Sequence, residues 1–355
     1  MTVVAAHDDL GAEFVEHDGR RVVEDYGRPD SAHRAVRNGV GVIEMGYGVV
    51  EVTGSDRVEY VDNVVSNRVP AEDGEGRYAL LLDPGGKVRA DLYVYNANER
   101  LLLFTPPSMA AEVAEEWAER TFIQDVEVRE ASTDFGVFGV HGPTSTEKVA
   151  SVLNHAGAPE PALSFVRGSM ADEGVTVVAT DAPTGEEGYE VVCAADAAED
   201  VFDTLLTRGM NAAPFGHWTW RSLTLEAGTP LFDSELRERI PNLFGLGNAV
   251  DYDKGCFVGQ EVVSRVQNRG QPSRRFVGLE PETVPETGAE VTANGDAVGE
   301  VTRAGESPSL SRPVALALVE FDLEAETVEV DGAGAGVVDL PFVEGSARSG
   351  RLPSY

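Results

Sequence analysis

Residues 254–261 read KGCFVGQE, the most distinctive stretch of the 355-residue chain. Its two glycines permit tight backbone geometry or a close approach to another group. Cys256 lies between Lys254 and the arginines Arg265 and Arg269, and nearby positive charge lowers the pKa of a thiol and favours the thiolate. The residues alone leave two interpretations open: a reactive thiol, or a small apolar side chain in a turn that links two domains.

The sequence changes in character at about residue 270. Beyond that point helical patterns vanish, and short valine-rich strands recur between Gly, Pro, Asn and Asp residues, with Asn294-Gly295 as a hairpin signal. We predict a C-terminal β-barrel domain over 271–345, followed by a mobile tail over 346–355.

The part before this boundary, residues 1–270, alternates strand and helix patterns. Residues 49–54 (VVEVTG) are typical of a strand, and Ser55 is predicted to cap the helix that follows. The turn at 83–87 (DPGGK) separates two further strands. Antiparallel hairpins with helices on one side of each sheet indicate an α+β fold. We predict one domain of two interleaved α+β subdomains with ferredoxin-like units.

The chain is strongly acidic, with 61 Asp and Glu against 28 Lys and Arg and a net charge of −33. Such self-repulsion destabilises a compact state unless salt screens it, and at 1 M salt the Debye length is about 3 Å. We interpret the charge as a halophilic adaptation to a salt-filled cytoplasm, with docking to a basic partner as the alternative. An acidic surface disfavours nucleic-acid phosphates, although arginines cluster at 265–275.

Other classes of protein are disfavoured by what the sequence lacks. The two cysteines, Cys193 and Cys256, form no CxxC pair, and the six histidines show no metal-ligand spacing, so we expect no metal site. No basic and apolar leader stands at the N-terminus, and no run of about 18 apolar residues occurs. We therefore expect a cytoplasmic protein without membrane contact.

The octapeptide, with Arg265 and the Arg269-Gly270 pair, resembles the motif of the YgfZ-type folate-binding proteins. That branch of the glycine-cleavage T-protein superfamily assists iron–sulfur cluster assembly or repair and has been linked to tRNA modification. The resemblance implies that Cys256 is functionally important. The residues that match the motif are Lys254, Gly255, Cys256, Gly259, Gln260, Glu261 and Arg265.

Five further stretches are similar, in order, to the T-protein itself, an aminomethyltransferase. The resemblance implies a T-protein-like fold in which subdomains surround a central channel for tetrahydrofolate or a one-carbon derivative, plus a C-terminal barrel. The five stretches are 7–14 (HDDLGAEF), 34–45 (RAVRNGVGVIEM), 83–92 (DPGGKVRADL), 184–190 (TGEEGYE) and 221–228 (RSLTLEAG).

Three ionisable residues match the superfamily's folate site. The resemblance places Asp91 at the catalytic carboxylate, Glu190 at the carboxylate that binds the pterin ring, and Arg221 at a pterin-site arginine. A pterin edge suits a carboxylate that accepts two N–H bonds. Structural alternatives stay open: Asp91 as a turn acceptor, Glu190 as a solvent-facing acid, and Arg221 as a partner of Glu226.

The chain also departs from both patterns. Ala90 precedes Asp91 where T-proteins usually have a second acid, and Leu102 and Leu103 stand where an aromatic residue helps to hold the pterin. The iron–sulfur branch often lacks the carboxylate that this chain keeps as Asp91. The chain thus combines the motif of one branch with the carboxylate of the other.

Three functions are compatible with these features. We expect first a tetrahydrofolate-binding protein that assists iron–sulfur cluster assembly or repair for a client protein, with Cys256 as a catalytic thiol. The first alternative is a tetrahydrofolate-dependent aminomethyltransferase, or a related one-carbon or methyl transferase, that works with a lipoyl carrier protein. The second is a folate-responsive tRNA-modification factor. The residues do not decide whether the chain is an enzyme.

Overall fold

The computed structural model describes residues 1–121, 123–268 and 270–355. Helices and sheets alternate before residue 270, and a β-barrel follows, so the predicted α+β class with a C-terminal barrel is confirmed. In the part of the chain described, no helix is both long and apolar enough to cross a membrane.

The described residues form eight helices and nineteen strands, joined by turns and loops. In chain order they are α1 (Val4–Asp9), β1 (Glu13–His17), β2 (Arg20–Asp25), α2 (Pro29–Asn38), β3 (Gly41–Glu44), β4 (Gly48–Thr53), α3 (Arg57–Val64), β5 (Glu75–Leu82), β6 (Val88–Asn96), β7 (Arg100–Thr105), α4 (Ala110–Ala118), β8 (Glu127–Glu130), β9 (Phe135–His141), α5 (Ser145–Val152), β10 (Phe165–Met170), β11 (Glu173–Ala179), β12 (Gly188–Ala194), α6 (Ala198–Thr207), β13 (Ala213–Pro214), α7 (His217–Glu226), α8 (Gln260–Asn268), β14 (Arg274–Pro281), β15 (Glu290–Ala293), β16 (Asp296–Ser307), β17 (Arg312–Glu320), β18 (Thr327–Val330) and β19 (Ala333–Val338). Short 3-10 or π turns lie at Pro107–Met109, Ala195–Ala197, Phe232–Leu236 and Pro241–Phe244.

The strands before residue 270 form a hairpin and two larger sheets. The hairpin pairs β1 with β2, the five-stranded sheet has the order β5-β6-β7-β4-β8, and the six-stranded sheet has the order β10-β11-β12-β9-β3-β13. Neighbouring strands are antiparallel except for the short β13, which runs parallel to β3.

Helices cover one face of each large sheet. Trp117 of α4 is buried against the five-stranded sheet, and Phe202 of α6 is buried against the six-stranded sheet. The other faces of the two sheets share one core, in which the rings of Tyr95 and Phe165 lie 6.2 Å apart. Asp91 on β6 and Glu190 on β12 belong to these two sheets.

The C-terminal strands close into a barrel with the order β14-β17-β16-β15-β18-β19. Its interior is filled by small and branched side chains, among them Leu279, Val301 and Val319. Asn294 and Gly295 both have positive φ and connect β15 to β16, as their hairpin chemistry predicts.

Two predictions about local structure were wrong. Ser55 does not cap α3, which begins at Arg57; the Ser55 hydroxyl donates instead to Asp125 Oδ2 at 2.8 Å. The final segment does not behave as a free tail. The backbone N–H groups of Gly350 and Ser354 donate to Asp181 and Gly245 carbonyls at 2.8 and 3.0 Å. Arg351 is buried, and the carboxylates of Asp91 and Asp181 compensate its charge in the interior.

Glu226, at the end of α7, joins the first part of the chain to the barrel. Its carboxylate accepts hydrogen bonds from Ser307 Oγ at 2.6 Å and from Arg37 Nε at 3.1 Å, and its Oε2 lies 3.1 Å from His33 Nε2. Burial alone would raise the pKa of Glu226, but the bond with His33, the charge of Arg37 and the bond from Ser307 lower it to about 2.

We therefore expect Glu226 to make the protein sensitive to acid. Because its folded-state pKa is depressed, its contribution to the free energy of unfolding is complete above pH 4.5 and is lost as the pH falls toward 2. Denaturant titrations at several pH values should show this loss, worth about 3 kcal/mol, in the wild type and not in Glu226→Gln. An equal pH dependence in both proteins would contradict the assignment, and Glu320→Gln, at an exposed position, is the control.

Candidate functional site

An open cavity lies where the two large sheets meet the β1–β2 hairpin and α7. Its lining combines apolar walls with a few polar groups, as ligand-binding pockets do. The aromatic residues that line it are Tyr47, Tyr93, Phe104, Trp220 and Phe232, and the ionisable ones are His17, Asp18, Asp91, His217, Arg221, Asp233 and Arg351.

Strand alternation points two predicted site residues toward the interior between the two large sheets; Asp91 lines the cavity, whereas Glu190 is not among the described residues of its lining. On β6, Leu92 packs under the helices, so Asp91 and Tyr93 project to the opposite face. On β12, Val191 packs under helices and Glu190 projects the other way. The sheets face each other across this interior, so carboxylates that are far apart in sequence reach the same region.

Asp91 lies within a network of tyrosine and arginine. Its Oδ2 accepts a hydrogen bond from the Tyr78 hydroxyl at 3.0 Å and lies 3.5 Å from Arg351 Nη1. Burial raises the pKa of Asp91, and the charge of Arg351 and the bond from Tyr78 oppose that rise. The side chain is only 14% exposed and lines the cavity, so it does not serve as a turn acceptor.

Arg351 connects Asp91 to a second buried carboxylate, Asp181. Its Nε lies 3.0 Å from Asp181 Oδ2, and its guanidinium carbon lies 4.1 Å from the centre of the Tyr78 ring. Tyr93 donates to Asp181 Oδ1 at 2.7 Å and accepts a bond from Arg351. Sequence reasoning missed Arg351 because no local pattern distinguishes it in a segment that was predicted to be mobile.

Glu190 is buried, and only half of its carboxylate is satisfied by protein. Tyr47 donates to Oε1 at 2.7 Å, whereas Oε2 has no hydrogen-bond partner among the described residues. Burial raises the pKa of Glu190 to about 7, against the lowering effect of the bond from Tyr47. The alternative of a solvent-facing acid is therefore wrong, and an unpaired buried acceptor oxygen calls for an external donor.

Arg221 is on the cavity side of α7. His217, Trp220 and Arg221 lie at positions i, i+3 and i+4 of the helix, which places them on one face, and all three line the cavity. Glu226 is engaged by His33 and other groups rather than by Arg221. The predicted alternative of a purely intrahelical ion pair is thus wrong.

Aromatic side chains surround the site even though Leu102 and Leu103 replace the expected ring. Tyr47 stacks on Phe104 with centroids 5.5 Å apart and planes 24° apart. Tyr93 meets Tyr47 edge to face at 6.2 Å. A search of the sequence for aromatics two residues from Asp91 would have found Tyr93, but the loop position of Tyr47 carried no such signal.

None of the residues 254–261 (KGCFVGQE) is among the described residues that line the cavity. The Lys254 ammonium is buried and donates to the carbonyls of Val65 and Asn67 at 3.0 and 2.9 Å. It caps the C-terminal end of α3, so the ammonium is engaged by backbone carbonyls. Cys256 is a free, exposed thiol.

Gly259 in this loop does need to be glycine. Its φ is +80°, and a Cβ there would lie 2.6 Å from the Asp83 carbonyl oxygen in the DPGGK turn. The loop therefore packs directly on that turn, and the predicted close backbone approach is present. Gln260 and Glu261 open α8.

The described arginines of 265–275, which are Arg265, Arg274 and Arg275, are each engaged by a neighbouring group. Arg265 pairs with Glu261, Arg274 Nη1 lies 3.9 Å from Glu300, and Arg275 donates to the Leu323 carbonyl at 3.0 Å. Arg269, named in the motif, lies outside the described residues. The observation on which the tRNA hypothesis depended is therefore weakened.

The fold and the cavity define a class of protein: an α+β chain with a terminal β-barrel and an open cavity where its two large sheets meet. The family model for the GCVT N-terminal domain matches residues 3–254, and that for the glycine cleavage T-protein C-terminal barrel domain matches residues 274–344. The chain belongs to the glycine cleavage T-protein family.

Curated relatives of similar length are named for one activity. The aminomethyltransferase of Streptomyces coelicolor is 32% identical over 364 residues, covering 95% of each chain. That of Halalkalibacterium halodurans is 28% identical over 325 residues, covering 89% of this chain and 88% of the relative. The crystal structure of glycine cleavage system aminomethyltransferase T from Bartonella henselae superposes with a TM-score of 0.84 at 24% identity, covering 97% and 98%, which shows the shared fold.

Proposed function

We propose that this protein is a tetrahydrofolate-dependent one-carbon transferase of the aminomethyltransferase type. The observation that carries the proposal is the unpaired Oε2 of buried Glu190, which lies between the same two sheets as Asp91. The relatives named aminomethyltransferase favour this function over the iron–sulfur role that we placed first from the sequence.

The residues present fit tetrahydrofolate. A pterin edge offers paired N–H donors, and Glu190 offers a carboxylate with an open acceptor oxygen. The rings of Tyr47, Tyr93 and Phe104 supply flat apolar walls, and Arg221 supplies a cation on the cavity side of α7. When bound, tetrahydrofolate supplies the nitrogens that take up a one-carbon unit.

The chain's own groups prepare this chemistry. Tyr78 and Arg351 hold the Asp91 carboxylate in one orientation, and a fixed negative charge in a poorly hydrated site stabilises a cation that develops beside it. Tyr93 and Asp181 hold Arg351 in turn. By this proposal Asp91 is the catalytic carboxylate, and Glu190 and Arg221 bind the folate.

A lipoyl carrier protein is the proposed donor of the aminomethyl group, by analogy with relatives named aminomethyltransferase.

The second candidate, iron–sulfur cluster assembly or repair, is favoured by one observation, the free and exposed Cys256 in a YgfZ-like motif. The thiol is not among the described residues of the cavity lining, so the two functions use separable parts of the chain.

Replacing Asp91 should separate binding from chemistry. In a single-turnover assay with an aminomethylated carrier, anaerobically in molar salt, we expect ammonia release by the wild type and a rate about 10²–10³-fold lower for Asp91→Asn, because one preorganised charge is lost. Calorimetric titration should show that Asp91→Asn still binds tetrahydrofolate. Asp296→Asn, at an exposed barrel turn, is the matched control.

The same assay distinguishes the two candidates. Transfer that survives Cys256→Ser would support the aminomethyltransferase. A wild type that binds tetrahydrofolate but releases no ammonia would count against it and favour the cysteine-dependent role. Absence of tetrahydrofolate binding in the wild type would refute both.

A further inference from the structure

The outer part of the cavity contains a group of ionisable side chains that the proposed function leaves unused. His17 ends β1, His217 begins α7, and Asp233 lies in the π turn Phe232–Leu236. The imidazole centroids of His17 and His217 lie 4.9 Å apart, and His17 Nε2 lies 3.7 Å from Asp233 Oδ2. All three line the same cavity as Asp91.

Burial changes along this row. The side chains of His17 and Asp233 are each 30% exposed, whereas His217 is more deeply placed. Burial lowers the pKa of His217 to about 4, with further lowering by His17 and Arg221 and an opposing effect of Asp233. His217 is therefore neutral at neutral pH, and a neutral imidazole accepts a proton at one nitrogen and donates one from the other.

Other charged groups at this end of the cavity are already engaged. Asp18 accepts bonds from Arg237 Nη2 at 2.8 Å and Ser108 Oγ at 2.6 Å. The His17–His217 pair places two imidazole rings in contact at this rim, and imidazole nitrogens can accept and donate protons.

We propose that Asp233, His17 and His217 form a proton relay between solvent and the cavity during one-carbon transfer. The inference depends on the proposed function. In aminomethyl transfer from a thioether, two C–N bonds form at the acceptor nitrogens while the C–S and C–N bonds of the donor break. The acceptor loses two N–H protons, of which one goes to the leaving thiolate and one to ammonia, so no oxidant or reductant is needed.

By this proposal the relay takes up a proton from the acceptor and returns it to a leaving group within one turnover. His217 faces the cavity and meets His17, which lies beside a carboxylate at the solvent edge. By this proposal Asp233, His17 and His217 act as a general base when they take up the proton and as a general acid when they return it.

The test compares His217→Gln and His17→Gln with His155→Gln, which replaces an exposed histidine. In the single-turnover assay we expect each relay variant to be about 100-fold slower and the control to be unchanged. Tetrahydrofolate affinity by calorimetry should stay within about twofold in all three. Imidazole added to His217→Gly should restore part of the rate.

A second readout is independent of turnover. NMR titration of the histidine ring signals should show that replacing His17 shifts the titration of His217, and that tetrahydrofolate perturbs His217 but not His155. Wild-type transfer rates in both relay variants, or rings that titrate independently, would overturn the relay and leave the proposed function standing. Absence of ammonia release by the wild type would instead refute the function and, with it, this role of the pair.

Discussion

Replacement of Arg351 by methionine is expected to lower the free energy of unfolding by about 3–5 kcal/mol, because it leaves buried carboxylates without their cation. Arg351 contacts Asp181 at 3.0 Å and Asp91 at 3.5 Å, and its side chain is only 6% exposed. Methionine keeps the apolar length of the side chain and removes its charge. Buried pairs are weakly screened, so the loss should persist in molar salt.

Denaturant titration measures this effect as a lower midpoint at unchanged slope. The matched control is Arg348→Met, three residues earlier in the same segment. Arg348 pairs with Glu187, and both side chains are largely exposed, at 61% and 41%, so a loss of less than about 1 kcal/mol is expected. Equal effects of the two substitutions would show that Arg351 does not hold the buried network together.

Replacement of Glu190 by glutamine is expected to weaken tetrahydrofolate binding by about 2–5 kcal/mol, at least about 30-fold in Kd. Glutamine replaces an acceptor-only carboxylate with an amide whose N–H groups oppose the donors of the pterin edge. Calorimetric titration of wild type, Glu190→Gln and the exposed-site control Glu320→Gln measures the difference. Unchanged affinity in Glu190→Gln would remove the central support of the proposed site.

The affinity of the wild type for tetrahydrofolate should depend on pH, and the raised pKa of Glu190 sets the direction of that dependence. Because burial raises the Glu190 pKa to about 7, the carboxylate form becomes populated only as the pH rises through that value. Tetrahydrofolate affinity should therefore increase from pH 6 to pH 8 in the wild type and stay level in Glu190→Gln. In the absence of ligand, the free energy of unfolding changes with pH in the opposite direction. The raised pKa of Glu190 contributes stability below pH 4.5, and this contribution is lost as the pH rises through 7.

The organisation of the site could be predicted in part. Asp91 and Glu190 were identified from their motifs, and period-two alternation along β6 and β12 explains why both face the interior. Arg221 was identified in the same way, and helical spacing accounts for its place beside Trp220. These residues were found through the resemblance of their motifs to the T-protein, and the regular element around each one explains the direction of its side chain.

The contacts of Lys254 could not be predicted for a related reason: it lies in a loop, where no periodic pattern sets the direction of a side chain. Its neighbours in sequence suggested an effect on Cys256, but its ammonium is buried against carbonyls of residues at the end of α3. A long side chain in a loop has many accessible rotamers, and the nearest unsatisfied acceptors decide its direction. Those acceptors follow the C-terminal end of α3, nearly 200 residues earlier in the chain.

The sequence by itself determined the α+β class and the C-terminal barrel, because periodic burial and turn residues act over a few neighbouring positions, and the resemblance of its motifs pointed to the carboxylates of the candidate site. The tertiary structure alone decided that Arg351 reaches Asp91, 260 positions away, and that His17 meets His217. Such contacts depend on the path of the whole chain, since a buried charge is stable only where distant segments bring its partners within a few ångströms.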